Sequence, residues 1–202
     1  MKKIIIACAI LSCLSFKQEK VIKTVLGVLP ESEIIVSGKS NVNSFDCEYQ
    51  IHDLSKPITV SFKQTKNDEN KDQLEFKNAK FYLKNKCFDC GNKFINKDFH
   101  KMLQTDQFPQ VLIELLSVCV AEDGCSALAT MGVKIAGIIQ EYKIPISFYY
   151  ENNTYEVGGI INMNLDDFNI KSPKKVLGLI KVDNQVNVNL DLKLKELTIT
   201  KK

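Results

Sequence analysis

Apolar residues recur at helical spacing in one stretch of this chain and at alternating spacing over most of the remainder. Between Cys87 and Ile113, the residues Phe94, Ile95, Phe99, Met102 and Leu103 recur at steps of one, four, three and one. That spacing predicts one apolar helix face, with Asn96, Lys97, Asp98 and Lys101 elsewhere around the axis. Gly91 and Asn92 open the helix as breaker and N-cap. Asp106 and Pro109 close it, because proline disfavours helix in the residue before it. Past Pro109 the period drops to two, at Val111, Ile113 and Leu115. A single short amphipathic helix among strands is a lid or plug over a hollow sheet, or a plain cap on a β core. Spacing alone does not separate the two.

The strand signal surrounds this helix. Val21 to Leu29 is apolar and reads as a strand or a tether. Glu33 to Ser40 is strand-like, and Ser40 to Cys47 is polar and turn-rich. Pro57 to Phe62 is a β-branched run, Thr65 to Lys71 a charged loop, and alternation resumes at Phe76, Phe81 and Leu83. Val111 to Val120 leads through the turn sequence Ala121-Glu122-Asp123-Gly124 to a returning run, Ala127 to Ile138. Ile144 to Phe148 runs to a turn at Glu151-Asn152-Asn153, and Val157 to Leu165 follows. Leu177 to Val182 and Val186 to Leu194 read as a hairpin around Asp183-Asn184-Gln185. The second arm alternates Val186, Val188, Leu190, Leu192 and Leu194 with polar residues, giving one dry face and one wet face. The fold class is all-β with one short helix: an antiparallel sandwich or barrel of about eight strands.

Composition narrows the function. The chain has 202 residues and a formal net charge of +3, enough for one domain after any leader. Every basic side chain is lysine, and the arginine fork that usually reads nucleic acid is absent, which argues against a nucleic-acid partner. Histidine is limited to His52 and His100, leaving little for a metal site or a histidine base. Lys2 and Lys3 precede an apolar run from Ile4 to Leu14, too short to span a bilayer and fitting a secretory leader over residues 1–15. An alternative reads Ile10-Leu11-Ser12-Cys13 as a lipoprotein box with Cys13 lipidated, which would tether the protein to a membrane. Export in either form predicts a periplasmic or secreted protein in which disulfides persist. Oligomeric state is left open, a dimer included.

The order and spacing of several segments resemble the YceI-like proteins, exported lipocalin-like β-barrels that bind polyisoprenoid lipids. The resemblance runs from about Ser32 to Leu197. It is carried by Ile35 to Phe45, by Asn92 to Val111 with Phe108-Pro109 opening a strand, and by Gly137 with Lys143-Ile144-Pro145-Ile146. Asn164 to Ile170 followed by Gly178 to Val182 completes it. It implies a barrel domain over 32–197 with a helical lid, holding a polyisoprenoid chain or isoprenoid quinone. Where such proteins usually carry an arginine at the helix start, this chain has Asn96 or Lys97. Implied wall residues are Phe81, Phe94, Phe99, Leu103, Phe108, Val111, Ile113, Ile146, Phe148, Val188, Leu190 and Leu192. The competing expectation is a filled barrel serving as an envelope structural or interaction protein.

Cys47 and Cys90 match cysteines of one branch of that family, which implies a disulfide tying the opening strand to the start of the lid. Cys119 and Cys125 flank Asp123-Gly124, where a tight hairpin would bring them within reach as a second bridge, leaving Cys87 as a buried thiol. The alternative is a local Cys87–Cys90 ring with Cys47 free, which would revive a thiol-redox reading of the C-x-x-C spacing. Asp98, Asp166 and Asp167 invite a paired-carboxylate reading, but Asp166-Asp167 reads more simply as a strand-end turn. No triad order, metal spacing or phosphate loop stands out. The sequence therefore predicts no enzyme, no resident cofactor and no metal, with His100, Lys97 and Lys101 as solvated helix residues or head-group contacts.

Overall fold

The computed structural model describes residues 21–67, 71–171, 174–175 and 180–197. The leader, with Cys8 and Cys13, lies outside them, as do Leu177 to Leu179. The strands are β1 (Val21–Val28), β2 (Glu33–Ser40), β3 (Ser44–Tyr49), β4 (Ile58–Lys66), β5 (Asp72–Lys77), β6 (Lys80–Lys84) and β7 (Phe88–Asp89). After helix α1 (Lys93–Met102) come β8 (Gln110–Val120), β9 (Ser126–Ile135), β10 (Ile138–Glu151), β11 (Thr154–Asn164), β12 (Lys174–Lys175) and β13 (Ile180–Glu196). Strands β1, β4, β5, β8, β9, β10, β11 and β13 pair in that order, and β1 returns to β13, so eight antiparallel strands close a ring. Closure leaves these strands without free edges. The all-β barrel with one helix is as the sequence implies.

Two strands outrun the ring and build a second storey at the helix end. The C-terminal part of β13 pairs β1, while its earlier part pairs β2, which carries β3 and then β7. On the other side, the first half of β8 pairs β6 and its second half pairs β5. Tyr49 joins the two flanks. Its ring, 1% exposed, meets Phe88 edge-on at 4.9 Å. Its hydroxyl accepts the Lys84 N–H at 3.2 Å and donates to Asp53 Oδ2 at 2.7 Å, while Lys84 Nζ pairs with Asp53 Oδ1.

Burial, then the bond to Asp53, raises the Tyr49 phenol above its usual range. The bonds from Lys84 and Tyr49 hold the Asp53 carboxyl below the usual carboxylate range. A lowered folded-state value gives stability that is complete above the unfolded aspartate value of about 4 and is lost as pH falls below it. Tyr49→Phe should therefore cost about 1–2 kcal/mol in urea unfolding, since it strands the Lys84 N–H and removes a donor to a carboxylate. Asp53→Asn should destabilise at pH 7 but much less at pH 3.

Several expectations need correction. The stretch Ser40 to Cys47 is a turn followed by β3, in which Phe45 lies across Gly38: a β-carbon there would sit 2.4 Å from the Phe45 ring. The run Ala127 to Ile138 is not one strand. It folds back at Ala136-Gly137, both at positive φ, the two-residue turn that matches strand twist. There is no hairpin around Asp183-Asn184-Gln185: β13 passes straight through, with extra residues bulging between the Val182–Ser40 and Val186–Gly38 pairs. Asn184 Nδ2 uses the bulge to reach Asp166 Oδ2 at 2.7 Å. The helix ends before Asp106, at Met102, because Gln104 turns left-handed at φ 52°.

Asn92 caps α1 as expected, its side chain accepting the N–H groups of Phe94 and Ile95. The buried stripe is narrower than expected. Phe99 and Leu103 are buried, Ile95 and Met102 half-buried, and Phe94 is 80% exposed. One residue is 100° of helix, so Phe94 cannot share a stripe set by 95, 99, 102 and 103.

Cys47 and Cys90 form the disulfide, which ties β3 to the segment entering α1. The second bridge does not form: Cys119, Cys125 and Cys87 are free thiols. Cys119 lies opposite Leu128 in the β8–β9 ladder, and Cys125 sits in the turn. The Cys119 sulfur instead accepts from Asn67 Nδ2 at 3.4 Å and donates to the Asp72 carbonyl at 3.5 Å. Cys87 is half-buried rather than fully buried, and burial, followed by the nearby Asp53 charge, raises its thiol above the usual value. With Cys90 locked to Cys47, the local ring and the redox motif are both overturned.

Candidate functional site

Alternation along the ring strands sends every second side chain inward, and the inward set is not large enough to fill the barrel. At the end away from α1 it encloses a hollow of about 300 Å³. β1 contributes Thr24 and Leu26; β4, Ile58, Val60 and Phe62; β5, Leu74 and Phe76; and β8, Leu115, Val118 and Val120. Ala129, Met131, Ile146, Phe148, Tyr155, Val157, Leu190, Leu192 and Leu194 complete most of the wall. A bulge at Leu116 between the Leu115–Met131 and Ser117–Thr130 pairs shifts the alternation by one, so that Val118 and Val120 still face inward. Gly159 also lines the hollow: a β-carbon there would lie 2.9 Å from Ile146 Cγ2, so its absence lets the Ile146 side chain lie across β11. Val120 lines the wall yet is 44% exposed, which marks the opening.

At the helix end the interior is packed. Phe99, Met102 and Leu103 press down on Val111, Val133, Ile161 and Val186, leaving a space of only about 50 Å³. Ile113, 4% exposed, lines both spaces and stands in the partition between them. The helix is thus a plug on the closed storey and not the mouth of the hollow.

Of the expected wall residues, Phe81, Ile113, Ile146, Phe148, Leu190 and Leu192 line the large hollow. Phe99, Leu103, Val111 and Val188, with Ile113, line the small one. Phe94 and Phe108 line neither: Phe94 faces solvent, and the Phe108 ring packs against Gly137 of the β9–β10 turn. Sequence reasoning missed β1, β4 and β5 as walls, although Thr24 and Leu26, then Ile58, Val60 and Phe62, carry the two-residue period. Lys97 and Lys101 are exposed at the closed end. Asn96 is spent locally, accepting the Cys90 N–H at 2.7 Å and donating to Asp89 at 3.0 Å. His100 is half-buried, with Nε2 enclosed and without a partner. Asp166 and Asp167 belong to a 3-10 turn, where they hold Asn184 and Tyr142.

The wall is polar in one place. At the open end Thr24 Oγ1 donates to Glu196 Oε1 at 2.7 Å, and the Tyr150 hydroxyl lies 3.3 Å from both Glu196 Oε2 and Asn153 Oδ1. The Tyr150 and Tyr155 ring centres are 4.4 Å apart. Burial first, then the Glu196 charge, raises both phenols above their usual value, so both stay protonated at neutral pH.

A closed antiparallel ring around an apolar chamber, with a helix across one end, defines a lipocalin-like barrel. Among solved structures, the chain has the fold of the YceI proteins. Burkholderia cenocepacia BcnA superposes with a TM-score of 0.53 at 13% identity, over 80% of this chain and 95% of that one. A polyisoprenoid-binding domain from Saccharophagus degradans superposes at 0.57 with 9% identity, over 88% of this chain and all of that one. The Campylobacter jejuni YceI protein gives 0.50 at 10% identity, over 69% and 82% of the two chains. In sequence, no family model and no curated protein matches.

Proposed function

We propose that this protein is a lipid-binding module that holds an isoprenoid chain, of a polyisoprenoid or an isoprenoid quinone, in the large hollow. The observation that carries this is the apolar chamber of about 300 Å³ inside a YceI-type barrel. Scaling from a dry apolar cavity of ~150 Å³ that takes one benzene, it has room for about a dozen carbons, or two to three isoprene units. At about 0.8 kcal/mol per buried CH₂, that is on the order of 10 kcal/mol before the costs of association. That the Saccharophagus degradans neighbour is a polyisoprenoid-binding domain supports the choice of lipid. We assign the protein a carrier role without catalysis, since the residues that line the hollow are almost all aliphatic or aromatic. The Cys47–Cys90 bond is compatible with an exported protein. The filled-barrel alternative fits the helix end but not the open half.

Purified full-length protein, extracted with organic solvent and read by mass spectrometry, should release an isoprenoid in near-stoichiometric amount. Recovery of no isoprenoid, together with cross-linking to a defined protein partner in intact cells, would favour the envelope-interaction reading instead.

A further inference from the structure

The chamber is apolar throughout except at its opening, where Glu196, Thr24, Tyr150 and Tyr155 gather. A pocket of this composition fixes its ligand's orientation by the few polar groups it contains. The tail fills the hydrocarbon space, and the polar end meets whatever stands at the mouth. Here that group is a carboxylate. Glu196 has the same alternation as Leu194 and Leu192, which line the hollow, and it bonds Thr24, which also lines it. A carboxylate offers about four acceptor positions, and Thr24 and Tyr150 take two of them. Both phenols and the threonine are neutral. Among the described residues, the nearby cations Lys23, Lys193 and Lys195 alternate to the outer face, and Lys193 lies 3.7 Å from Glu156 there.

From this we infer, building on the lipid-binding reading above, that the mouth selects an isoprenoid whose polar end is an uncharged hydroxyl, as in a prenyl alcohol or a hydroquinone. The hydroxyl donates to the Glu196 carboxylate and can accept from a tyrosine. A phosphate or diphosphate ester brings negative charge against Glu196 at the edge of a low-dielectric chamber, where like charges repel far more strongly than in water. The lysines outside cannot offset this without the head group leaving the mouth.

The test uses full-length protein at physiological salt and an apolar fluorescent probe displaced by farnesol or by farnesyl diphosphate, which share one tail. Wild type should bind farnesol at least tenfold more tightly than the diphosphate. Glu196→Gln keeps the size, leaves one oxygen to accept from Thr24, lets the amide N–H donate to the Tyr150 hydroxyl instead of accepting from it, and removes the charge. It should narrow that ratio at least fivefold, mainly by improving diphosphate binding. Tyr150→Phe should weaken the alcohol a few-fold, and circular dichroism checks that each variant is folded. Equal affinity of wild type for the two ligands, or an unchanged ratio in folded Glu196→Gln, overturns head-group selection while leaving lipid binding standing. If neither ligand displaces the probe, the lipid-binding reading itself falls, and this inference with it.

Discussion

Removing the disulfide should lower the stability of the folded protein by up to about 4 kcal/mol. The bond closes a loop with a sequence separation of 43 residues. Restricting a loop of that size in the unfolded chain amounts to about 4 kcal/mol on the chain-entropy model, and measured losses often fall below it. Its position decides what goes first. Cys47 is fully buried opposite Val36, and Cys90 lies one residue beyond β7, whose only ladder among the described residues is two residue pairs with β3. Without the bond, the approach to α1 is held there by that short ladder and by Asn96. The Cys47→Ala/Cys90→Ala variant, or the reduced wild type, should lose its urea midpoint accordingly. Amide exchange should show β7 and α1 opening before the eight-strand ring. A loss under 1 kcal/mol, or protection lost uniformly, would show that the helix end is held by packing alone.

How much of this architecture was legible depended on which local signal fixed each element. The helix, its Asn92 cap and the β-rich remainder were readable because period and capping chemistry act over a few residues. So was the turn at Asn152-Asn153, since asparagine tolerates left-handed backbone. Ala136-Gly137 was not, because alanine gives no such warning and only the strand pairing enforces its positive φ. The Asp183-Asn184-Gln185 segment misled for the opposite reason: its composition is that of a turn, but β2 pairs on both sides of it and forces a bulge. The two cysteine expectations separate along the same line. The Cys47–Cys90 bridge came through family resemblance, and the Cys119–Cys125 bridge through a hairpin whose register places Cys119 opposite Leu128. For the site, alternation shows which residues face inward, but not whether they meet. Whether a barrel is filled depends on the sum of inward volumes around eight strands, and no local pattern carries that sum. Glu196 and Tyr150 lie far apart in sequence and meet because β11 pairs both β10 and β13, and Thr24 joins them because β1 closes on β13.

Replacing Leu190 with tryptophan should abolish most lipid binding while leaving the empty protein as stable as wild type or more so. Leu190 is 8% exposed on β13, pointing into the chamber, with Gly159 across β11 on one side and Ile34 of β2 on the other. Ile146 lies over Gly159, so an indole at 190 enters not there but the open chamber of about 300 Å³ that Leu190 lines. In a packed core such an enlargement costs about 1–3 kcal/mol through strain. In a void it restores missing contacts, and voids cost about 24 cal/mol per Å³, so partial filling should raise the thermal midpoint of lipid-free protein. The same ring displaces ligand. If it excludes about three methylenes of the tail, the loss is about 2.4 kcal/mol, or on the order of fiftyfold in affinity. Ile113→Ala acts in the opposite direction: it opens the partition, destabilises the empty protein by about 2–5 kcal/mol, and should favour longer isoprenoid tails. Thermal melts of delipidated protein and tail-length series in the displacement assay read both effects. The two variants must move stability and binding in opposite senses. If Leu190→Trp instead destabilises strongly and binds lipid as wild type does, the half of the barrel away from α1 is filled in solution and the ligand lies elsewhere.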